Sequence, residues 1–213
     1  MIGDYGMPRN HEKDVQLREE RKKQILKSAL PLFVDNGLQG TTISEIAKAA
    51  GMSKGLIYNY FESKIELYSI LAADILGISE QDAHHLLYER EGTPWDRLCQ
   101  LAKDVVIIQK SKLAGDAVEM QFNLAFSMQF LSFEQLPEPY KSDVDKAYSF
   151  RRQTIAKLIE QGQNAGQFIE GDPYRLSIHF ASIVNGMFME NTRSEGLFDE
   201  SNVEHALKLF LRQ

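Results

Sequence analysis

The sequence predicts an all-α protein, with an N-terminal three-helix domain that contains a helix-turn-helix and a larger helical C-terminal domain. Apolar residues recur at helical spacing along most of the chain, and no alternating apolar–polar run is long enough for a sheet. The breaks between these segments contain residues that begin or end helices, namely serine, threonine, proline and glycine. The 213 residues, of which 43% are hydrophobic and 25% charged, are enough to bury a sizeable core.

The first helix is expected over residues 14–36, after a flexible polar tail of residues 1–13. Gly37 follows as a C-terminal cap, since glycine adopts the left-handed backbone of that position without steric cost. Pro31 lies inside the helix, where it removes a backbone donor and crowds the carbonyl one turn earlier. We therefore expect a kink at Pro31.

The helix-turn-helix is expected directly afterwards. Thr42 and Glu45 have the spacing of a capping box and begin a second helix that ends at Gly51. Ser53 can cap a third helix over residues 54–60. A glycine at position 51 allows the tight turn that two crossed helices require. The sequence therefore predicts two short helices that cross in the arrangement of a helix-turn-helix.

A long fourth helix is predicted to start at Ser63, which forms a second capping box with Glu66, and to continue towards Tyr88. Gly77 is a weak point inside it, because glycine disfavours helix interiors. Proline is tolerated at helix starts, and several of the later helices begin near one. These later helices are expected over residues 93–111, 115–135, 138–165, 172–193 and 200–212.

The charge distribution is asymmetric although the net charge is −6. Residues 13–64 contain nine lysines and arginines against six acids, whereas residues 72–213 contain 14 against 21. A mildly basic region on an acidic body is compatible with a nucleic-acid partner, but many enzymes show a similar asymmetry.

Targeting features are absent from the sequence. Cys99 is the only cysteine, so an internal disulfide is impossible. No apolar segment resembles a signal peptide or reaches the roughly 20 residues that span a bilayer. We therefore expect a cytoplasmic protein without a membrane partner.

The third helix has an exposed face with the chemistry of a DNA-binding surface. If Ile57 faces the core, Lys54, Gly55, Tyr58 and Asn59 point outward. A lysine can donate to guanine acceptors in the major groove, a glycine permits close approach, and tyrosine hydroxyls can bind phosphates. The alternative is an ordinary polar surface beside a few core aromatics.

The block from Ile25 to Leu71, ILKSALPLFVDNGLQGTTISEIAKAAGMSKGLIYNYFESKIELYSIL, resembles the N-terminal domain of the TetR family of bacterial repressors. The segments GTTISEIAKAAG and YNYFESKIEL are especially similar. In that family the third helix contacts the major groove. The resemblance implies a DNA-binding domain over residues 14–63, with DNA contacts from Thr42, Ser53, Lys54, Gly55, Tyr58, Asn59, Tyr60 and Lys64.

The resemblance also implies that residues 64–213 form a helical effector-binding and dimerisation domain. A dimer is independently expected, because one short helix contacts only a few base pairs. The last two helices are the candidate interface, as a four-helix bundle with those of a second subunit. Burial in the subunit's own core is the alternative. The interface candidates are Ile183, Val184, Gly186, Met187, Val203, Leu207 and Phe210.

An effector pocket is expected where methionine and aromatic side chains cluster, since methionine adapts to varied shapes. Such a pocket would bind a small hydrophobic or aromatic molecule. Ordinary core packing is the alternative for each of these side chains. The pocket candidates are Trp95, Met120, Asn123, Phe126, Met128 and Phe130.

Catalysis, a metal and a cofactor are not expected. The sequence contains no nucleophile motif, phosphate-binding glycine loop or HExxH, and the adjacent His84 and His85 project about 100° apart on a helix. We expect a dimeric regulator that binds a near-palindromic operator in double-stranded DNA as a repressor, and that a small effector releases. An effector-independent regulator controlled by a protein partner is the first alternative, and an enzyme on a helical scaffold the second.

Overall fold

The structure is a computed structural model that describes residues 11–107, 122–123, 125–130, 136–194 and 197–212. Within these residues it is helical, with one isolated bridge between Phe168 and Leu211 and no strand, so the predicted all-α class is confirmed. Residues 122–123 and 125–130 are also helical. The α-helices elsewhere are α1 (His11–Gly40), α2 (Ile43–Ala49), α3 (Lys54–Tyr58), α4 (Lys64–Leu76), α5 (Glu80–His84), α6 (Pro94–Val106), α7 (Tyr140–Asn164), α8 (Pro173–Arg193) and α9 (Glu200–Leu207). A π-helical turn, His85–Glu89, directly follows α5.

Helix α1 changes direction at Gly37 rather than at Pro31. The backbone of Gly37 has φ 68° and ψ 176°, whereas the helix continues through Pro31 without a non-helical residue. Thr41, which is fully buried, closes this corner by donating its hydroxyl to the carbonyls of Leu32 at 2.9 Å and Gly37 at 2.8 Å. The glycine was correctly predicted as the end of the regular helix, and the predicted kink lies six residues too early.

The long fourth helix of the sequence prediction is two helices. Helix α4 ends at Leu76, Gly77 leaves helical geometry with ψ −166°, and Ser79 caps α5. A Cβ atom at position 77 would lie 3.1 Å from the Cβ of Ala147 on α7, which is tighter than ordinary contact. It would also lie 2.5 Å from the Ala73 carbonyl, so both the preceding turn of α4 and the neighbouring helix restrict this position.

The predicted capping box of α4 is only half formed. The Ser63 hydroxyl accepts from the Glu66 amide at 3.0 Å, as expected. The Glu66 carboxylate, however, accepts from the amide of Glu62 rather than from that of Ser63. A capping box that was not predicted begins α6, where Thr93 and Asp96 satisfy each other's amides.

The chain ends in a short turn rather than a full helix to residue 212. A 3₁₀ turn, Lys208–Phe210, follows α9. The Phe210 carbonyl then accepts from the Ile169 amide at 2.9 Å, and the Arg212 amide donates to the Gln167 carbonyl at 2.8 Å. This pairing with an extended segment requires the helix to stop.

Two apolar cores hold the helices together. The first joins α1, α2, α3 and α4 to the 122–130 region and α7. Tyr68 lies at its centre, with its ring 4.9 Å from the rings of both Phe33 and Phe126. The second core lies among α6, α7, α8 and α9. The N-terminal helices therefore pack directly onto the body through α4.

None of the helices in the described ranges combines the length and the apolar character that a bilayer crossing requires.

Candidate nucleic-acid interface

The second helix is fixed by its first turn. The Thr42 hydroxyl accepts from the Glu45 amide at 3.2 Å, and the Thr42 amide donates to the Glu45 carboxylate at 2.8 Å. The Thr42 hydroxyl also donates to the Glu45 carboxylate, at 2.7 Å. This hydrogen bond, and then the one from the Thr42 amide, hold the pKa of Glu45 below its usual range, while Lys64 adds a smaller effect. The predicted capping box is therefore confirmed, and Thr42 is exposed at the start of α2.

The turn between α2 and α3 has the geometry that the sequence predicted. Gly51 has φ 68°, in the left-handed region that favours glycine. The Met52 amide donates to the Ala47 carbonyl at 2.9 Å, which closes the end of α2. Helix α1 also contacts this turn, because the Gln24 side chain donates to the Ala50 carbonyl at 3.1 Å.

Helix α3 buries one residue, and the side of the helix opposite that residue is exposed to solvent. Ile57 is fully buried, and the Ser53 hydroxyl caps the helix by accepting from the Leu56 amide at 3.2 Å. Lys54, Gly55 and Asn59 are exposed, and so is Tyr58, at 47% of its surface. Ser53 itself is also exposed.

Gly55 is not required by the protein's own packing. A Cβ atom built at this position would meet no atom within 4 Å. The backbone there has no positive φ, unlike that of Gly51. A glycine with free space in front of it is compatible with close approach by something outside the chain.

Tyr60 and Lys64 differ from the other predicted contact residues, because each already contacts the protein. Tyr60 is half-buried beneath the guanidinium of Arg18, which lies 5.2 Å from its ring centre. The Lys64 ammonium donates to the Thr41 carbonyl at 2.7 Å and to the Gln39 carbonyl at 3.3 Å. Tyr60 therefore packs against α1, and Lys64 joins the start of α4 to the segment between α1 and α2.

Arg18 is a residue that the sequence reasoning did not identify. Besides covering Tyr60, it donates to the Asn59 carbonyl at 3.0 Å, at the end of α3. It lies seven residues before the buried Ile25 on α1 and therefore on nearly the same helix face. The seven-residue spacing from Ile25 could have identified Arg18 as a residue that faces the helix-turn-helix.

The predicted pocket residues lie in three different places. Asn123 and Met128 line a cavity of about 600 Å³ among α1, α4, α7 and α8. Phe126 and Phe130 pack around Tyr68 in the first core, and Trp95 lies edge-on to Phe168 in the second. Met120 lies outside the described residues.

The predicted interface residues are mostly inside the subunit. The second core buries Val184, Met187, Val203, Leu207 and Phe210, whereas Ile183 is half-buried and Gly186 exposed.

One face of α8 nevertheless exposes apolar and small side chains to solvent. Ile178 is 41% exposed and Met189 51% exposed. Ser182 and Gly186 lie between them at helical spacing.

No group of three metal-ligating side chains occurs in the described part of the chain. His84 and His85 both approach Glu89, at 3.1 and 3.3 Å.

Residues 25–69 match the model of the "Bacterial regulatory proteins, tetR family". The chain is 38% identical over 86 residues to the transcriptional regulator HbdR of Aromatoleum sp., a match that covers 40% of this chain and 37% of that protein. It is 31% identical over 115 residues to the regulator AcrR of Shigella flexneri, covering 54% of this chain and 52% of the relative. The chain thus matches about half or less of the length of these curated relatives.

Solved structures of similar fold cover nearly the whole chain. E. coli NemR in its reduced form has a TM-score of 0.70 at 19% identity, covering 90% of this chain and 98% of that one. NalD of Pseudomonas aeruginosa, a secondary repressor of a multidrug efflux pump, has 0.68 at 20% identity and covers 93% and 99%. A putative transcriptional regulator of Saccharomonospora viridis, bound to choline, has 0.68 at 18% identity and covers 92% and 100%.

These comparisons confirm the resemblance that the sequence showed. HbdR and AcrR are transcriptional regulators rather than enzymes, in agreement with the prediction that this chain is not an enzyme.

Proposed function

We propose that this chain, which belongs through its N-terminal domain to the tetR family of bacterial regulatory proteins, is a dimeric repressor that a small molecule releases from its operator. The observation that supports this most is the uncovered face of α3. Its lysine, phenol, amide and bare glycine all point to solvent, whereas the apolar Ile57 holds the helix from behind. A protein without a partner at this face has no need of Gly55.

The contacts divide by chemistry. Lys54 lies at the first position of α3 and can donate to base edges in the major groove. Tyr58, Tyr60 and Ser53 have hydroxyls that can donate to phosphates, which fixes the position of the helix without selecting a sequence. Thr42 and Lys64 lie at the starts of α2 and α4, where free amides also favour phosphate.

Dimerisation places two such helices on one duplex. Two copies of α3 spaced about 34–36 Å apart would lie in successive major grooves of a near-palindromic operator. The exposed stripe from Ile178 to Met189 on α8 is the surface that we propose meets a second subunit. Gly186 lies within it and has open space in front of its Cα, so a partner helix can approach closely.

Effector release is proposed from the position of the cavity. Its wall combines α1 and α4, which belong to the first core with the helix-turn-helix, and α7 and α8, which belong to the body. A ligand that binds one relative position of these helices more tightly than another shifts the population of the dimer between them. In place of the long helix predicted from Ser63 towards Tyr88, α4 alone makes this connection, and it ends at Leu76.

The proposed division at residue 64 has a consequence for this coupling. Tyr68 of α4 packs between Phe33 of α1 and Phe126 of the body. A movement of the body therefore reaches the DNA-binding helices through packed rings rather than through a linker. We propose that the protein is located in the cytoplasm, because its DNA target is there.

The test is a DNA-binding titration of the whole chain by fluorescence anisotropy, on operator candidates selected from a random duplex library. Lys54→Ala is expected to weaken binding and relax base choice, and Tyr58→Phe to weaken binding on all sequences alike. Lys157→Ala, an exposed lysine of α7, and Tyr88→Phe, an exposed tyrosine, are the matched controls. Equal losses for the α3 variants and their controls would reject the DNA-binding face.

The effector-independent regulator remains the second candidate. It is favoured by the aromatic packing of Phe126 and Phe130, since two of the predicted pocket residues lie in the core. A repressor whose operator affinity is unchanged by every ligand that binds the cavity would select this candidate.

A further inference from the structure

The cavity among α1, α4, α7 and α8 has a volume of about 600 Å³, within the range of small-molecule sites. Its described lining contains four basic side chains, Lys23, Lys27, Arg151 and Arg152, against one acid, Asp74. The lining is therefore positive in a chain whose net charge is −6.

Arg152 is held in one position by neutral groups. Its guanidinium donates to the hydroxyl of Tyr148 and to the Ser177 carbonyl, the latter at 3.1 Å. It also lies 4.9 Å from the centre of the Tyr148 ring. These contacts orient the planar fork, but none of them neutralises its charge.

Arg151, the neighbouring residue, is half-buried in the same wall. Within the described residues no carboxylate forms an ion pair with it. Burial, and then the positive charge of Arg152, lowers the pKa of Arg151, which means that the surroundings disfavour the cation. A buried charge without a counter-charge is costly, and a bound anion would offset both effects.

The rest of the wall is mostly apolar. Helix α1 contributes Leu26 and Leu30, and α4 contributes Leu71. Met128 and Ile155 contribute further apolar surface. A ligand that fills this space therefore needs an apolar body as well as a charged end.

We propose that the cavity binds an organic carboxylate with an aliphatic or aromatic body, its carboxylate on Arg151 and Arg152. This inference rests on the effector site of the proposed function and specifies its ligand. A planar carboxylate can accept two parallel hydrogen bonds from a guanidinium. The single ammonium of a lysine does not provide such a pair of donors. The apolar body lies on the leucines of α1 and on Met128.

A cationic ligand does not fit the same wall. Two guanidiniums would repel a cation, and the aromatic ring that could bind one is already covered by another side chain. Tyr148 is the aromatic residue of the described lining, and Arg152 already covers its ring. The charge of the ligand is therefore the property that the cavity selects.

The experiment is isothermal titration of the full-length protein, without DNA, with four probes. Octanoate and naphthalene-2-carboxylate are the anions with aliphatic and aromatic bodies, and octanol and octyltrimethylammonium are the neutral and cationic controls. We expect at least one carboxylate to bind at least about tenfold more tightly than octanol, and the cation to show no binding.

The variant Arg151→Gln is expected to weaken carboxylate binding about tenfold or more and to leave octanol binding unchanged. Arg151→Lys retains the charge but not the planar guanidinium, so its carboxylate affinity is expected to lie between those of the natural protein and Arg151→Gln. Arg175→Gln, an arginine at the exposed start of α8 outside the cavity, is the control for lost charge and should bind as the natural protein does. A thermal melt of each variant verifies the fold.

Octanol or the ammonium compound binding as tightly as both carboxylates, or a folded Arg151→Gln protein that retains full carboxylate affinity, would overturn the inference. Operator affinity is measured separately. If the carboxylates bind through Arg151 while operator affinity is constant, the ligand assignment holds and effector release fails. If other molecules release the operator while neither carboxylate binds, effector release holds and the assignment fails.

Discussion

The helix-turn-helix and the body of this protein differ in what determines their structure. In the helix-turn-helix, caps and turns within a few residues define each element, and one face is left polar and uncovered. In the body, side-chain caps also begin α5, α6, α8 and α9, but the helices pack through residues far apart in the chain, and several polar groups line the cavity. We propose that the first region meets a large partner, DNA, and that the cavity of the second holds a small one.

The largest expected effect is the loss of stability when a buried side chain is removed from either core. Ile57→Ala and Leu158→Ala each remove a fully buried side chain, and each is expected to cost about 2–5 kcal/mol of unfolding free energy. Only Ile57 lies behind the DNA-binding face, so only its variant should lose operator binding at temperatures where both proteins remain folded. Urea titrations and DNA-binding titrations measure the two effects.

If Leu158→Ala also abolished operator binding while remaining folded, the body would be shaping α3 directly. The separation between the two regions would then be wrong.

The second effect concerns base contacts. Lys54→Ala is expected to cost about 1–3 kcal/mol of operator binding, with relaxed choice at one base position of each half-site. The exposed ammonium has no role in the protein's own packing, so the melting temperature should be unchanged. Competition with single-base operator variants measures the specificity. A loss that is the same on every sequence would assign Lys54 to a phosphate instead.

The third prediction uses two glycines with open space before them, one in each region. Gly55→Ala and Gly186→Ala should each raise the unfolding free energy by about 0.5–1 kcal/mol, because alanine favours helices and no atom lies within 4 Å of the added carbon. Gly55→Ala should weaken operator binding by crowding the groove. Gly186→Ala should weaken the dimer instead, as measured by analytical ultracentrifugation.

Gly51→Ala is the contrast for this pair, since its φ of 68° is unfavourable for alanine and the substitution should destabilise the protein. If Gly55→Ala left operator binding unchanged, the uncovered face would not approach DNA at that position.

The smallest effect is electrostatic and local. Glu45 has a lowered pKa because Thr42 donates to its carboxylate in the folded state, so the charged form stabilises the start of α2. This contribution is present at neutral pH and is lost as the pH falls through the lowered pKa of Glu45. Glu45→Gln should therefore lower the urea midpoint at pH 7 and have little effect at pH 3. An equal loss at both values would contradict this cause.

The sequence predicted the region that local rules define. The Thr42 box, the Gly51 turn and the Ser53 cap depend on residues within one or two turns of each other, and all three are present. Gly77 was recognised as a weak point, but its surroundings combine the Ala73 carbonyl of α4 with Ala147, 70 positions away. The contact with Ala147 cannot be recognised from the sequence of α4.

The candidate sites divide in the same way. The outward side chains of α3 follow from helical periodicity once Ile57 is known to be inside. The position of the cavity does not follow from periodicity, because its walls combine six separate stretches of chain. The aromatic cluster that predicted it lies mostly around Tyr68. Arg151 and Arg152 could not have been selected from a segment where they look like surface charge.

The most direct test of the DNA-binding proposal is selection of duplexes from a random library by the full-length protein. We expect enrichment of a near-palindrome whose two half-sites are centred about one helical turn apart, or a multiple of it, and a broadened motif for Lys54→Ala. An unenriched library, or an identical motif for both proteins, would contradict the assignment of α3 to the major groove.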